Sequence, residues 1–253
     1  MSFKMTVQYA GFFTDLIKAV SAVVDEGDFK ATATGLRLIS MDPAHISLVD
    51  FELPKDSVEE YELSGDVEIT INMLELLKFL RRAKKNESLT LNYDSEKRKL
   101  TIILTNQAAA RERTFQLSTL EPVEGGRTTA PRLTFDATAR ISTEALWEAI
   151  EDSSLVADSM KVTIARDTVV FTARGELGTV ENKLTVDGAM VHEVNAQKEA
   201  SATFALTYLE KIVKAGKDLS EETLLMLSMN KPIKIGFPLP NARLEYLIAP
   251  RLE

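Results

Sequence analysis

Few residues in this chain could carry covalent or acid–base chemistry. Among its 253 residues there is no cysteine, and the only histidines are His45 and His192. Disulfides, thiolate metal sites and cysteine nucleophiles are therefore excluded. A Ser-His-Asp triad would have to use one of the two imidazoles. The segment SMDPAH brings Asp42 within three residues of His45. Such a pair could act as the general base of a hydrolase, but Asp-Pro also opens turns. We read it as a turn with a partly buried His45. Glu59-Glu60 and Glu221-Glu222 are adjacent, so their carboxylates diverge and are read as solvated. No GxxxxGK[ST], GxGxxG, HExxH or GxSxG stands in the sequence, and Gly125-Gly126 leads into no phosphate loop. The expectation is a non-enzyme with no catalytic residue, no metal and no cofactor.

The second chemistry on offer is polyanion binding. The chain is acidic overall, with 30 Lys+Arg against 38 Asp+Glu and a net charge of −8. Locally the sign reverses. Lys78, Arg81, Arg82 and Lys85 stand at i, i+3, i+4 and i+7, with Lys84 beside them. On a helix they would form one stripe. Lys211, Lys214 and Lys217 step by three on another predicted helix. Like charges this close repel by about a few tenths of a kcal/mol per pair, so stability alone would not select them. A polyanion partner would. The other two predicted helices differ: one has only Lys18, and the other carries Glu144, Glu148, Glu151 and Asp152 without a cation.

The elements that position these residues repeat. Residues 11–26 and 72–85 carry apolar groups at helical spacing, as do 142–158 and 207–217. Ser142 is a plausible N-cap. Strands follow each helix, with turns at Thr34-Gly35, Ser95-Glu96-Lys97 and Arg166-Asp167. The unit helix–strand–turn–strand–strand appears four times, twice in each half. Residues 118–133 hold Pro122, Gly125, Gly126 and Pro131 and read as a linker. This gives an α+β fold of two similar domains, 1–117 and 134–253, each with two helices on antiparallel sheet. No run reaches 18 apolar residues, so no membrane span is expected. An intracellular, soluble protein is.

Read along its length, the sequence resembles sliding clamps of the proliferating cell nuclear antigen type, and archaeal members in particular. GLRLISMDPAHISLVDFELP (35–54) is similar to that family's central signature. FTARGELGTVENKL (171–184), FALTYLEKIVKAGK (204–217) and the closing YLIAPRLE (246–253) resemble its later segments. The resemblance implies a DNA clamp fold assembling into a ring of three subunits around duplex DNA. Helices would line the hole, with Lys18, Lys78, Arg81, Arg82, Lys84, Lys85, Lys211, Lys214 and Lys217 toward phosphates. It implies subunit joints between an edge strand at 110–117, with Arg111, Arg113 and Phe115, and one at 175–184, with Glu176, Gly178, Val180, Glu181 and Lys183. Arg111 and Arg113 are expected to face Glu176 or Glu181. It also implies a pocket for client peptides at Met41, His45, Ile46, Leu48, Val123, Leu133, Pro232, Leu247, Ile248, Ala249 and Pro250. The implied partners are DNA polymerase, clamp loader, flap endonuclease and DNA ligase, and the implied location is on the chromosome, in the cytoplasm or nucleoid of an archaeon.

Three departures from the family pattern stand out. The linker is polar and glycine-rich where many members have aliphatic groups. Glu148 and Glu151 stand roughly where others have cations. Thr14, Asp15 and Ser21 also fall near positions that are often basic. A lopsided inner charge would suit a mixed ring of paralogous subunits as well as a homotrimer. A checkpoint-type clamp, and more remotely a hydrolase using Asp42 and His45, are the alternatives.

Overall fold

A computed structural model describes residues 1–84, 86–121 and 128–251. The chain falls into two compact units. The first comprises Met1–Asp42, Val49–Ala130 and Pro240–Arg243, and the second Pro43–Leu48, Pro131–Leu239 and Leu244–Glu253.

The first unit is built from β1 (Ser2–Val7), α1 (Ala10–Val20), β2 (Glu26–Thr32), β3 (Gly35–Met41), β4 (Ser47–Pro54), β5 (Glu60–Leu63), β6 (Val67–Asn72), α2 (Met73–Leu80), β7 (Ser88–Asp94), β8 (Lys99–Asn106) and β9 (Arg111–Ser118). Its strands run in the orders β5-β1-β7-β8-β9 and β4-β3-β2-β6. The second unit contains β10 (Ala137–Ser142), α3 (Thr143–Ser154), β11 (Ser159–Ala165), β12 (Thr168–Gly175), β13 (Gly178–Thr185), β14 (Val191–Ala196), β15 (Ala200–Ala205), α4 (Leu206–Gly216), β16 (Glu222–Leu227), β17 (Ile233–Pro238) and β18 (Arg243–Ile248). Its orders are β14-β10-β16-β17-β18 and β13-β12-β11-β15. The two units therefore share one topology. The repeating unit begins one strand earlier than the sequence pattern indicates, because a short strand precedes each helix.

Each helix forms because its apolar residues share one face and that face is buried. On α1 these are Phe13, Leu16, Ile17 and Val20; on α2, Met73, Leu76, Leu77 and Leu80. On α3 they are Leu146, Ala149 and Ile150; on α4, Leu209, Ile212 and Val213. Full burial of each large aliphatic group is worth about 1.5–3 kcal/mol. The Asn72 side chain accepts a hydrogen bond from the Glu75 amide at 3.0 Å, and the Ser142 hydroxyl caps α3 through the Ala145 amide at 3.4 Å.

Three helices are shorter than their periodicity predicts. α1 stops at Val20, and Val24 is buried in the turn beyond it. α3 stops at Ser154 rather than running to residue 158. α2 stops at Leu80, where Arg82 and Ala83 donate to Phe79 and Leu80 in tight i→i−3 turns. This turn lets the Glu87 carbonyl accept the Ala10 amide at 2.9 Å, fastening the two helices' ends together.

The β2–β3 hairpin turns where expected. Gly35 there has φ 146°, and a Cβ would lie 2.3 Å from the Leu53 carbonyl oxygen. Gly35→Ala should therefore cost about 2–3 kcal/mol. Gly11→Ala, in α1 with open space around it, should instead gain up to about 1 kcal/mol. Urea midpoints of the two variants, shifted in opposite directions, test both statements.

Candidate nucleic-acid and subunit surfaces

The basic residues of the first unit occupy a turn more than a helix. Lys78 is on α2, exposed and 2.5 Å from Glu75. Arg81 is the C-cap residue, and Arg82 and Lys84 lie in the turn after it, all three exposed. The expected four-cation helical stripe is thus replaced by a basic helix end, where cations also favour the helix dipole. Lys85 lies outside the described residues. Lys18 on α1 is half-buried. Thr14 and Ser21, which stand where cations were looked for, turn their hydroxyls back to Ala10 and Lys18 carbonyls at 2.8 and 2.7 Å.

In the second unit Lys211 and Lys214 are exposed on α4. Lys217, expected in the same stripe, is engaged instead with α3. Its ammonium lies 2.7 Å from Glu144 and 5.2 Å from the centroid of Trp147. The cation–π contact and the ion pair together tie the end of α4 to the start of α3.

The two expected joint strands are both sheet edges. β9 pairs only with β8, and β13 only with β12, among the described residues. Each is eight residues long with alternating exposure. Such edges present unpaired N–H and C=O groups and invite a further strand.

The side chains on them are arranged differently from expectation. Arg113 is not available to a neighbour. It is 15% exposed, lies 2.5 Å from Glu87 and donates to the Arg82 carbonyl at 2.9 Å. Glu87 is 1% exposed and also accepts the Lys84 amide at 2.8 Å. Phe115, two residues on, packs against Phe79 of α2 with ring centroids 5.5 Å apart. Arg111 is exposed but shares the strand face of Arg113 and Phe115. On β13 the half-buried face is Val180, Asn182 and Leu184, and Asn182 reaches Asp152 of α3 at 3.1 Å. Glu181 and Lys183 point from the opposite face. If two sheets continue with their helix sides together, Arg111 and Arg113 cannot meet Glu181, since strand parity separates them. Glu176 and Gly178 stay exposed at the hairpin tip. Between them Leu177 is 85% exposed. A large apolar residue in the GELG turn is the sequence signal for it, and at the hairpin tip its side chain is left outside the core of its own unit.

The expected pocket residues divide. Leu48 and Ile248 are core side chains at 3% and 0% exposure, so neither can touch a client peptide. Leu247 is nearly buried, while Met41, Ile46, Leu133, Pro232, Ala249 and Pro250 are half-exposed. Met41 belongs to the first unit and the others to the second. Within the second unit the Ala249 amide donates to the Ile46 carbonyl at 2.8 Å, so those two stretches meet. His45 is exposed at φ 58°, not partly buried as expected, because the left-handed turn throws the imidazole outward. Val123 lies outside the described residues. Nearby, Arg251 pairs with Asp158 at 2.8 Å and holds that carboxyl below its usual range. No cluster of metal-ligating side chains occurs among the described residues. No helix there is long and apolar enough to cross a membrane.

Two family models cover almost the whole chain: the N-terminal domain of proliferating cell nuclear antigen over residues 2–124 and its C-terminal domain over 129–251. The chain belongs to the proliferating cell nuclear antigen family. Proteins named DNA polymerase sliding clamp from Thermococcus sibiricus and Pyrococcus abyssi are each 33% identical over 254 residues, covering all of both chains. The fold matches that of proliferating cell nuclear antigen from Thermococcus kodakaraensis, at TM-score 0.91 and 22% identity over 98% of this chain and 100% of that one. The Entamoeba histolytica protein matches at TM-score 0.90 and 21% identity, over 99% of each chain. The Glu87–Arg113 pair is a feature of the first unit that sequence spacing alone did not indicate.

Arg113→Ala would strand the buried Glu87 carboxylate and should cost about 3–5 kcal/mol in urea unfolding. The double variant with Glu87→Ala should cost less than the sum, with a coupling above about 1 kcal/mol. Strictly additive costs would mean that the pair contributes nothing as a pair.

Proposed function

We propose that this protein is a DNA polymerase sliding clamp, a processivity factor that encircles duplex DNA and docks replication and repair enzymes. The observation that carries this is the pair of unpaired eight-residue edges, β9 on the first unit and β13 on the second. One such eight-residue edge from each unit makes a head-to-tail contact that closes when the rotation per subunit allows it. Six units of like topology then make three subunits a natural ring, with the helix pairs turned inward. Sheet continuation supplies the backbone hydrogen bonds. Leu177, with Val180 and Phe115, supplies apolar cover at the seam.

The inner surface needs only weak, sequence-independent phosphate contacts, because a closed ring is held on DNA by topology. Lys78, Arg81, Arg82, Lys84, Lys211 and Lys214 serve that role, and Lys217 only if it leaves Glu144. Lys85 and Lys18 complete the proposed set. Client peptides of polymerase, flap endonuclease and ligase dock beside Ile46, His45, Leu133, Pro232 and Ala249-Pro250, and a clamp loader opens the ring. No step requires catalysis by this chain, which works on the chromosome. The supporting facts are the family membership, the shared topology of the units and the free edges.

A mixed ring with paralogous subunits is the second reading, favoured by Glu148 and Glu151, which are exposed and without a partner among the described residues.

Light scattering on the purified chain separates these readings. A subunit is 28.1 kDa, so three sum to about 84 kDa. A mass near 84 kDa is expected for a self-closing ring. A mass near 28 kDa that rises only with a paralogue would assign the chain to a mixed one. In either assembly Leu177→Glu should return the chain to the monomer mass without lowering its urea midpoint. Retention of the full assembly by that variant would remove the β13 tip from the joint.

A further inference from the structure

The two helix pairs carry opposite charge although they share one fold. Counting each helix with the four residues after it, α1 and α2 hold five cations and two carboxylates, and α3 and α4 hold three cations and seven carboxylates. The difference is sharpened by pairing. Of the three cations, Lys217 is engaged with Glu144 and Trp147. Of the carboxylates, Asp152 accepts from Asn182 and Asp158 is held by Arg251.

Glu210 and Asp218 belong to α4 and the turn after it, which leaves Glu148 and Glu151 on α3. They follow Glu144 at i+4 and i+7, so the three lie on one exposed stripe of α3. Stability does not explain them. Glu151 and Asp152 stand in the last turn of a helix with no basic residue there, where the negative end of the dipole disfavours anions. The stripe also repels itself, and only its first member has a cation partner.

We propose that Glu148 and Glu151 act on duplex DNA as a repulsive sector, so that the first unit supplies the attraction and α3 of the second unit limits it. This rests on the reading that both helix pairs face the duplex. A ring gains nothing from a tight grip on phosphates, since topology retains it and each tight contact slows sliding. A negative stripe on the second unit's helices lowers the net attraction without removing the cations that orient the duplex. The Lys217–Glu144–Trp147 contact belongs to the same arrangement. It withdraws a cation from α4 and leaves the acidic stripe as the dominant charge of that helix pair.

The test is equilibrium binding of the assembled full-length protein to a fluorescent linear duplex of arbitrary sequence over a salt series. Glu148→Lys/Glu151→Lys should bind more tightly and steepen the slope of log K against log[salt] by about 0.9 for each phosphate gained. With about two gained contacts, its advantage over wild type should shrink roughly tenfold for a fourfold rise in salt. Glu148→Gln/Glu151→Gln should bind more tightly by a smaller factor. The control Glu96→Lys/Glu199→Lys changes the net charge equally at exposed positions away from the helices and should match wild type. If the α3 variants match wild type, or if the control gains as much as they do, the repulsive sector is overturned. Failure of the clamp reading would look different: replacing Lys78, Arg81, Arg82 and Lys84 by Ala would then leave duplex binding and its salt slope unchanged as well.

Discussion

The contact between Arg113 and Glu87 joins the turn after α2 to β9, beside the packing of Phe79 on Phe115. Glu87 receives the Lys84 amide and Arg113, while Arg113 also donates to the Arg82 carbonyl. The basic turn after α2 is thereby bound to the outermost strand of its sheet. Two charges almost removed from water would be costly apart, so the geometry that keeps them together is held firmly. The consequence reaches both surfaces of interest. The outer edge of β9 is unpaired among the described residues, while Arg113 and Phe115 on its inward face are anchored by Glu87 and Phe79. The cations Arg82 and Lys84 stay exposed because the main chain beneath them is fixed. In the proposed ring, an edge that accepts a neighbouring strand and a turn that meets phosphates would both benefit from rigidity, and one ion pair provides it to each.

The same backbone carries different chemistry in its two halves. Unit topology and the buried faces of α1 to α4 repeat because both depend on apolar periodicity, which tolerates many sequences. The exposed faces have diverged. At the end of α2 the cations are exposed, whereas at the end of α4 Lys217 folds onto α3. Trp147 makes that possible, since its ring offers a face to the ammonium while Glu144 takes the charge. A homologous position can thus hold a lysine in both halves and have it available in only one.

Much of this was legible in the sequence. Apolar spacing located all four helices, and the turns at Thr34-Gly35, Ser95-Glu96-Lys97 and Arg166-Asp167 fell where residue type placed them. Helix ends were less legible. RRAKK is made of good helix formers, yet α2 ends before it because Glu87 must reach both Ala10 and Arg113. That is a tertiary demand overriding propensity. The strand before each helix was not legible for a similar reason: it is only six residues long, and β6, β10 and β15 run into α2, α3 and α4 without a turn residue. Side-chain commitments were the least legible. Arg113 and Lys217 looked like surface cations, and their partners are far away along the chain. Leu48 and Ile248 looked like pocket walls, but their strands are buried on both faces there, so neither side chain reaches the surface.

The charge pattern of Glu148 and Glu151 bears on why affinity is the wrong measure of such a surface. A protein that binds DNA through phosphates alone gains strength with every cation, and it also gains friction. A ring closed as proposed would separate the two quantities, because its lifetime on DNA would be fixed at the β9 and β13 seams and its mobility at the helices. Charge on the helices is then free to be tuned downward. Acidic residues there cost some attraction but no retention, and in a helix whose last turn already disfavours them they persist against local stability. The demand placed on the seam is correspondingly greater. In the proposed ring, backbone pairing and a few apolar groups such as Leu177 would carry the closure, since Arg113 is already committed to Glu87 within its own unit.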